Sequence, residues 1–284
     1  MNGKIFYIYR KIFFIFLLFI FFTNNVYGEK IIFNFTGTVL KEDLKNLLAW
    51  KKYLEDGTSL KVEIEFSRTY AEATNNLING KVDIAYICSS TYATIENSKG
   101  IVFFTTPIIN NQPVYYAYLV ALKNSPFKTV EDFQGKLFAF TDPESTSGTL
   151  ALLHYLQKQN IEPNVFFRKI IYTYDHGQSI NAVLSGFVDG ATVDSLVFEQ
   201  WKTRHPMEAK KIKIIKTFGP FPVSPIVIRK NLPSKVVKIL RSKFANMDKD
   251  PIGKRILKNL GIDRFVLKKL NSYESIRNLI TEHE

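Results

Sequence analysis

The sequence has a single cysteine, Cys88, so no intrachain disulfide can form. No cysteine stands near residue 28, which argues against a lipid anchor. Cys88 ends the apolar run VDIAYIC and reads as a small buried residue. Histidine is scarce as well: His154, His176, His205 and His283 fall into neither HExxH nor another metal-ligand spacing. There is no GxSxG, no Walker loop and no GxGxxG after a strand. Ser147, His176 and Asp194 could be imagined as a hydrolytic triad, but that needs a specific geometry. The expectation is therefore binding rather than catalysis, with neither metal nor cofactor. Low-complexity segments, long linkers and nucleic-acid-reading motifs are also lacking.

Long hydrophobic runs are absent except at the start. MNGKIFYIYRK supplies a basic opening, IFFIFLLFIFF eleven uninterrupted apolar residues, and TNNVYG a polar exit, with Val26 and Gly28 three and one positions before a possible cut. The run is shorter than the roughly 20 residues a membrane span needs. This is the layout of a secretory signal over residues 1–28, with an uncleaved membrane anchor as the alternative. Either way the bulk of the chain is exported, into the periplasm if the resemblance described below holds. The formal net charge is +12, of which Lys4, Arg10 and Lys11 lie in this leader, leaving +9. The remaining lysines are spread along helices such as KVVKILRSKF. Together with export, this disfavours nucleic acid and is compatible with capture of small anions.

Beyond the leader, strands and helices alternate. KIIFNFTGTV reads as a strand and loop, and EDLKNLLAWKKYLE as an amphipathic helix with Leu44, Leu47, Leu48 and Leu54 on one side. LKVEIEF alternates as a half-buried strand does. TYAEATNNLING is a helix closed by Gly80, VDIAYIC a continuously buried strand, and Ser89 or Ser90 a cap for the next helix. The same order restarts near residue 123. GKVDIA (80–85) and GFVDGA (186–191) echo one another, each after a helix and opening a strand. Strand–helix alternation implies right-handed βαβ units. PVYYAYLVAL (113–122) and KIIKTFGPFPVSPIVIRK (213–230) lack helical period and read as paired crossover strands of a hinge. The expected division is residues 29–118 with 223–284 in one lobe and 119–222 in the other.

One stretch stands out, TDPESTSGTLALLHYLQKQN from Thr141. Asp142-Pro143 breaks the KLFAF strand, and Leu150, Leu152, Leu153 and Leu156 then follow with helical spacing. Between them Ser145, Thr146, Ser147 and Gly148 occupy the first turn of a helix. The first amides of a helix lack internal partners, and that end is electropositive. Hydroxyls around those amides, with a glycine to admit a ligand, make a pocket for an oxyanion. The plainer alternative is that Ser145 or Ser147 caps the helix.

Strand, DPxSTSG, helix resembles the anion-binding segment of periplasmic phosphate-, phosphite- and phosphonate-binding proteins, the solute receptors of ABC importers. The resemblance takes in SPFKTVEDFQGKLFAF before it, and DHGQSINAVLSGFVDGATVDS and PVSPIVIRKNLP after it. It covers nearly the whole chain beyond residue 30. It implies an α/β type II periplasmic-binding-protein fold, two α/β lobes joined by two hinge crossover strands, with the ligand in the cleft. It also implies a monomer that hands its ligand to an ABC permease, and no enzymatic role. The alternatives are a sensory module serving a membrane kinase, and a hydrolase or transferase on the same fold.

By this resemblance His176 matches a histidine of the cleft and Tyr70 an aromatic at the mouth of the first lobe. Thr36 with Gly37 and Thr38 could add donors. Tyr115, Tyr116 and Tyr118 are expected to pack the hinge, although one could face the cleft. Relatives that take aminoalkylphosphonates are expected to hold the ammonium with carboxylates. Here the aligned positions carry Leu196 and Ser224, and Ile87 follows Tyr86. Asp194 could substitute, or simply cap the helix from Ser195. These departures favour a compact oxyanion such as phosphate, phosphite or methylphosphonate, or a different small anion.

Overall fold

The computed structural model describes residues 28–98 and 100–281. The leader and His283 lie outside the described residues. The first half of the chain runs β1 (Glu29–Phe35), α1 (Leu44–Glu55), β2 (Leu60–Phe66), α2 (Tyr70–Ile78), β3 (Ile84–Tyr86), α3 (Ser89–Ile95), β4 (Ile101–Ile108) and β5 (Val114–Leu122). Next come β6 (Leu137–Phe140), a wide π-helical turn (Thr146–Leu150) leading into α4 (Ala151–Lys158), β7 (Lys169–Tyr172), α5 (His176–Leu184), β8 (Gly190–Asp194) and α6 (Ser195–Arg204). The chain closes with β9 (Ile212–Pro222), β10 (Ile226–Arg229), α7 (Ser234–Asn246), α8 (Pro251–Leu260), β11 (Arg264–Val266) and α9 (Glu274–Thr281).

These strands form two sheets, one ordered β11-β4-β10-β3-β1-β2 and the other β7-β6-β8-β5-β9. Each contains the same nucleus. In the first, β2, β1 and β3 are parallel and β10 joins antiparallel; in the second, β7, β6 and β8 are parallel and β5 joins antiparallel. The fourth strand of each nucleus is thus supplied by chain arriving from the other sheet. Strand β5 is paired in the second sheet from Val114 onward, so that sheet begins earlier than a division after Tyr118 would place it.

The GKVDIA and GFVDGA echo has a structural cause. Asp83 accepts from the Ile32 amide at 2.7 Å and returns its own amide to Ile32 O at 3.1 Å. Asp189 does the same to Leu137, at 2.9 Å and 2.8 Å. In both sheets the aspartate clips an incoming strand to the neighbouring one, satisfying backbone groups where the ladder starts. Gly80 and Gly186 both have positive φ, 69° and 71°, at the turn that precedes it.

Packing follows the alternation of the strands. Phe138 and Phe140 face a cluster with Leu152, Leu156 and Phe167, while Ala139 between them faces Val120, Ala191 and Val193. The first lobe is built around Trp50, which meets Phe33, Phe35, Phe244 and Phe265 at ring separations of 5.2–5.9 Å. This corrects the helical face expected from leucine spacing. Asn46, Leu47, Trp50, Tyr53 and Leu54 point inward, whereas Leu44 and Leu48 are about half exposed, at 47% and 48%. The bulky aromatic decides the face, since it buries more apolar area than a leucine.

The chain passes between the lobes twice. After β4 a tight turn is closed by mutual bonds between Ile109 and Gln112, both 3.0 Å, and after β9 the Val223 amide donates to Pro113 O at 3.1 Å. The two passages are therefore tied to each other at the hinge.

Candidate functional site

Strand β6 ends at Phe140, and the chain turns at Asp142-Pro143 into the π-helical turn. Its bonds are five residues long, Leu150 N–H to Ser145 O at 2.9 Å and Ala151 N–H to Thr146 O. A turn of this kind widens the helix start and is common at functional sites. Ser145 is the N-cap: its Oγ accepts from the Gly148 amide at 3.0 Å. That leaves the amides of Thr146 and Ser147 without a partner among the described residues. Ser145, Thr146 and Ser147 are all buried.

Gly148 has a different reason from the one its position suggests. A Cβ there would lie 2.5 Å from Thr141 Cβ. The glycine lets the helix start settle onto the end of β6, where Gly148 O accepts from the Thr141 amide at 3.1 Å and from Thr192 Oγ1 at 2.8 Å. It serves packing between helix and strand rather than ligand access.

The turn faces the first lobe. Thr146 Oγ1 lies 3.0 Å from Ser89 Oγ and accepts from the Ser90 amide at 3.0 Å. Ser90 Oγ donates to Glu144 O. The Tyr70 amide, an unpaired donor in the first turn of α2, donates across the interface to Asp142 Oδ2 at 3.0 Å. Ser89 and Ser90 were expected as helix caps, but the helix begins at Ser89 with Cys88 in the cap position and no side-chain cap bond. Their hydroxyls are used in the interface instead.

Tyr70 is 1% exposed, and its hydroxyl is buried with no hydrogen-bond partner among the described residues. Burial, then the nearness of Cys88, Asp142, Asp194 and Tyr115, pushes its pKa well above the ordinary value. It is a neutral donor that nothing among the described residues satisfies, and leaving such a group unpaired costs about 1–3 kcal/mol.

His176, at the start of α5, is fully enclosed. Its Nδ1 lies 3.0 Å from Thr141 Oγ1 and accepts from the Asp194 amide at 3.2 Å. Accepting at Nδ1 places the ring proton on Nε2. Burial lowers its pKa to about 3, so the ring is neutral and offers one N–H, not the two of an imidazolium. Asp194 meets His176 through its backbone; its carboxylate instead caps α6, accepting from Leu196 N–H at 2.7 Å and Val197 N–H at 3.3 Å. Asp194 and His176 thus form no carboxylate–imidazole pair of the triad kind. Burial raises Asp194 to about 7 against the lowering effect of those two amides.

The expected site residues therefore divide. Ser145 and Gly148 connect through Thr141 to His176 and Asp194, Thr146 turns instead to Ser89 and Ser90, and Tyr70 joins through Asp142. Ser224 lines a small cavity of about 20 Å³ with Asp194, Leu196, Tyr86 and Trp50. Thr36 is apart from them. Its Oγ1 lies 3.3 Å from Thr38 Oγ1, and it lines an outer cavity of about 880 Å³ with Phe66, Arg68, Thr69 and Tyr174. Tyr115, Ser89, Ser90, Thr141 and Asp142 also belong to the network. From sequence Ser89 or Ser90 reads as a helix cap and Asp142 as part of a strand breaker, and only Tyr115 carries a signal for the cleft, as one of three tyrosines entering the crossover.

A buried cluster of neutral donors between two lobes, with the same strand nucleus in each, is the architecture of a solute receptor. The sequence matches over residues 34–273 the family described as ABC transporter, phosphonate, periplasmic substrate-binding protein. The chain belongs to this family. It is 31% identical over 235 residues to the phosphonates-binding periplasmic protein of Escherichia coli (strain K12), covering 79% of this chain and 69% of that one. It is also similar to the binding-protein component of an ABC phosphonate transporter from Pseudomonas aeruginosa, with TM-score 0.83, 25% identity and coverage of 90% and 87% of the two chains. A Prochlorococcus marinus (MIT 9301) protein solved with methylphosphonate shares the fold, with TM-score 0.80, 17% identity and coverage of 90% and 98%. The fold is the type II periplasmic-binding-protein fold. Members of this family are periplasmic substrate-binding proteins of ABC transporters and not enzymes. No helix among the described residues is long and apolar enough to cross a membrane.

Proposed function

We propose that this receptor captures a compact phosphorus oxyanion (phosphate, phosphite or a small phosphonate) in the cleft between its two lobes. It then presents the ligand, as a monomer, to the permease of an ABC importer after export through the leader at residues 1–28. The anion's oxygens are received by the free amides of Thr146 and Ser147, the hydroxyls of Thr146, Ser147 and Tyr70, and the Nε2 proton of His176. Ser145 and Gly148 shape the turn rather than touch the ligand, and Thr36 stands outside the shell.

The observation that carries this reading is the buried, unpartnered hydroxyl of Tyr70, held in the same network as a helix start with two unpartnered amides. A pocket of neutral donors needs no lysine. Three to five hydrogen bonds to a charged group, each contributing roughly 1.5–3 kcal/mol, are enough to offset closure costs and leave micromolar affinity. Leu196 and Ser224 support a ligand without an ammonium group. They stand around a space of about 20 Å³, about one water molecule, lined also by Val39, Trp50, Ile109 and Ile262 and by the polar Thr38, Tyr86 and Gln200. Asp194 is the one carboxylate lining it, and its Oδ1 caps α6 by accepting from two amides.

Calorimetry with phosphite and methylphosphonate tests the proposal. Thr146→Ala/Ser147→Ala should bind the preferred anion at least about tenfold more weakly than wild type, the equivalent of one charged hydrogen bond. Unchanged affinity would remove the turn from the binding account.

A further inference from the structure

The hydroxyl of Thr146 sits at the end of a fully buried chain: Tyr115 OH to Ser89 Oγ at 2.8 Å, then Ser89 Oγ to Thr146 Oγ1 at 3.0 Å. Tyr115 and Ser90 are 1% exposed, and Ser89 and Thr146 0%, so bulk solvent does not reach any member. The direction of the protons follows from counting donors and acceptors.

Burial pushes the Tyr115 phenol well above its ordinary range, so it keeps its proton. A buried O–H must be donated somewhere, because leaving it unpaired is costly. If Tyr115 donates to Ser89, the Ser89 proton goes on to Thr146 Oγ1. The Ser90 amide already donates to that same oxygen at 3.0 Å. Both lone pairs of Thr146 are then occupied, and its own proton is left pointing elsewhere. In the opposite direction, Thr146 would donate to Ser89 and Ser89 to Tyr115, stranding the phenolic proton. Each arrangement leaves one proton over, but only that of Thr146 then has a further neighbour to turn to. Besides Tyr115, Ser89 and Ser90, its further neighbour among the described residues is Cys88 Sγ at 3.7 Å, a weak acceptor that a ligand oxygen displaces readily.

We propose that Tyr115 and Ser89 are positioning residues that lock Thr146 as a dedicated hydrogen-bond donor, so that the site accepts an oxygen with no proton of its own and disfavours a hydroxyl at that point. This rests on the anion-receptor reading and adds to it the protonation of the ligand: the oxygen held by Thr146 is an unprotonated one. Neither residue touches the ligand; each acts through Thr146.

The test is a double-mutant cycle read by calorimetry with phosphite and methylphosphonate on the full mature chain, with circular dichroism to show folding. Tyr115→Phe removes the first proton of the chain and should weaken binding about fivefold, the equivalent of one neutral hydrogen bond. In a Thr146→Val background the same change should have no further effect, because the hydroxyl it orients is gone. Thr146→Ser, which keeps the oxygen, should restore the dependence on Tyr115. The wild type should also bind more tightly as pH rises through the ligand's own ionisation, and Tyr115→Phe should flatten that profile. Equal losses from Tyr115→Phe in both backgrounds, or no loss in either, would overturn the proposal while leaving the receptor reading intact. If the wild type binds neither these probes nor phosphate, the receptor reading fails and takes this inference with it.

Discussion

Burial holds two neighbouring groups on opposite sides of their ordinary ranges, with His176 drawn down to about 3 from 6.5 and Asp194 raised to about 7 from 3.8. Their contributions to stability therefore slope oppositely. His176 contributes fully above its unfolded value of 6.5, and that contribution is lost as pH falls toward 3, because only the unfolded chain takes up the proton. Asp194 contributes fully below 3.8, and its contribution is lost as pH rises to 7. Asp194→Asn removes the second slope while retaining a capping oxygen for Leu196 and Val197. Denaturant titrations should show the variant gaining stability over wild type as pH rises from about 4 to 7. A constant difference across that window would mean Asp194 is already ionised in the native protein. Binding carries the same sign. Above about pH 7 an ionised Asp194 adds a negative charge beside the anion, so wild-type affinity should fall relative to Asp194→Asn, while the ligand's own titration cancels in the ratio.

The π-helical turn and the paired aspartate clips are where local structure meets the site. Gly148→Ala puts a methyl 2.5 Å from Thr141 Cβ, in a region with no room to shift. It should lower stability by about 1–3 kcal/mol, the usual cost of overpacking, and weaken anion binding along with it. A variant with wild-type melting temperature would show that the helix start can move off β6. Asp189→Ala should likewise destabilise by about 1–3 kcal/mol, since the Leu137 amide loses its acceptor. Much of this was legible in sequence. Strand–turn–helix order, the glycines at helix ends and the DPxSTSG segment follow from local chemistry, and the GKVDIA echo marks a real equivalence between the sheets. The inward face of α1 was misjudged because leucine spacing outweighed Trp50. Ser89 and Ser90 looked like ordinary caps because nothing local reveals that Thr146, far away in the chain, takes the amide of one and the hydroxyl of the other. The role of Gly148 was invisible for the same reason: what it avoids is Thr141, a tertiary neighbour.

Away from the ligand, the lobes are also joined by charge. Arg204 at the end of α6 pairs with the buried Asp43 before α1 and donates to Asn259 O at 3.1 Å, while His205 Nε2 lies 3.1 Å from Glu42. Asp43 is 2% exposed, and burial raises its pKa in spite of the guanidinium. Arg204→Gln leaves that carboxyl without its cation and should cost up to about 3 kcal/mol in urea unfolding. Adding Asp43→Asn should recover part of the loss, and the double variant should scatter X-rays as a more open, larger particle without ligand. No change in radius would show that these pairs do not hold the lobes together. The proposed function depends on a closed, buried set of neutral donors receiving a small phosphorus oxyanion. Calorimetric titration of the wild-type protein with methylphosphonate, phosphite, phosphate, sulfate and 2-aminoethylphosphonate tests it most directly. The prediction is one-to-one, roughly micromolar binding of at least one of the first three, and much weaker binding of the last. Heat from none of the first three, or from the aminophosphonate alone, would contradict it.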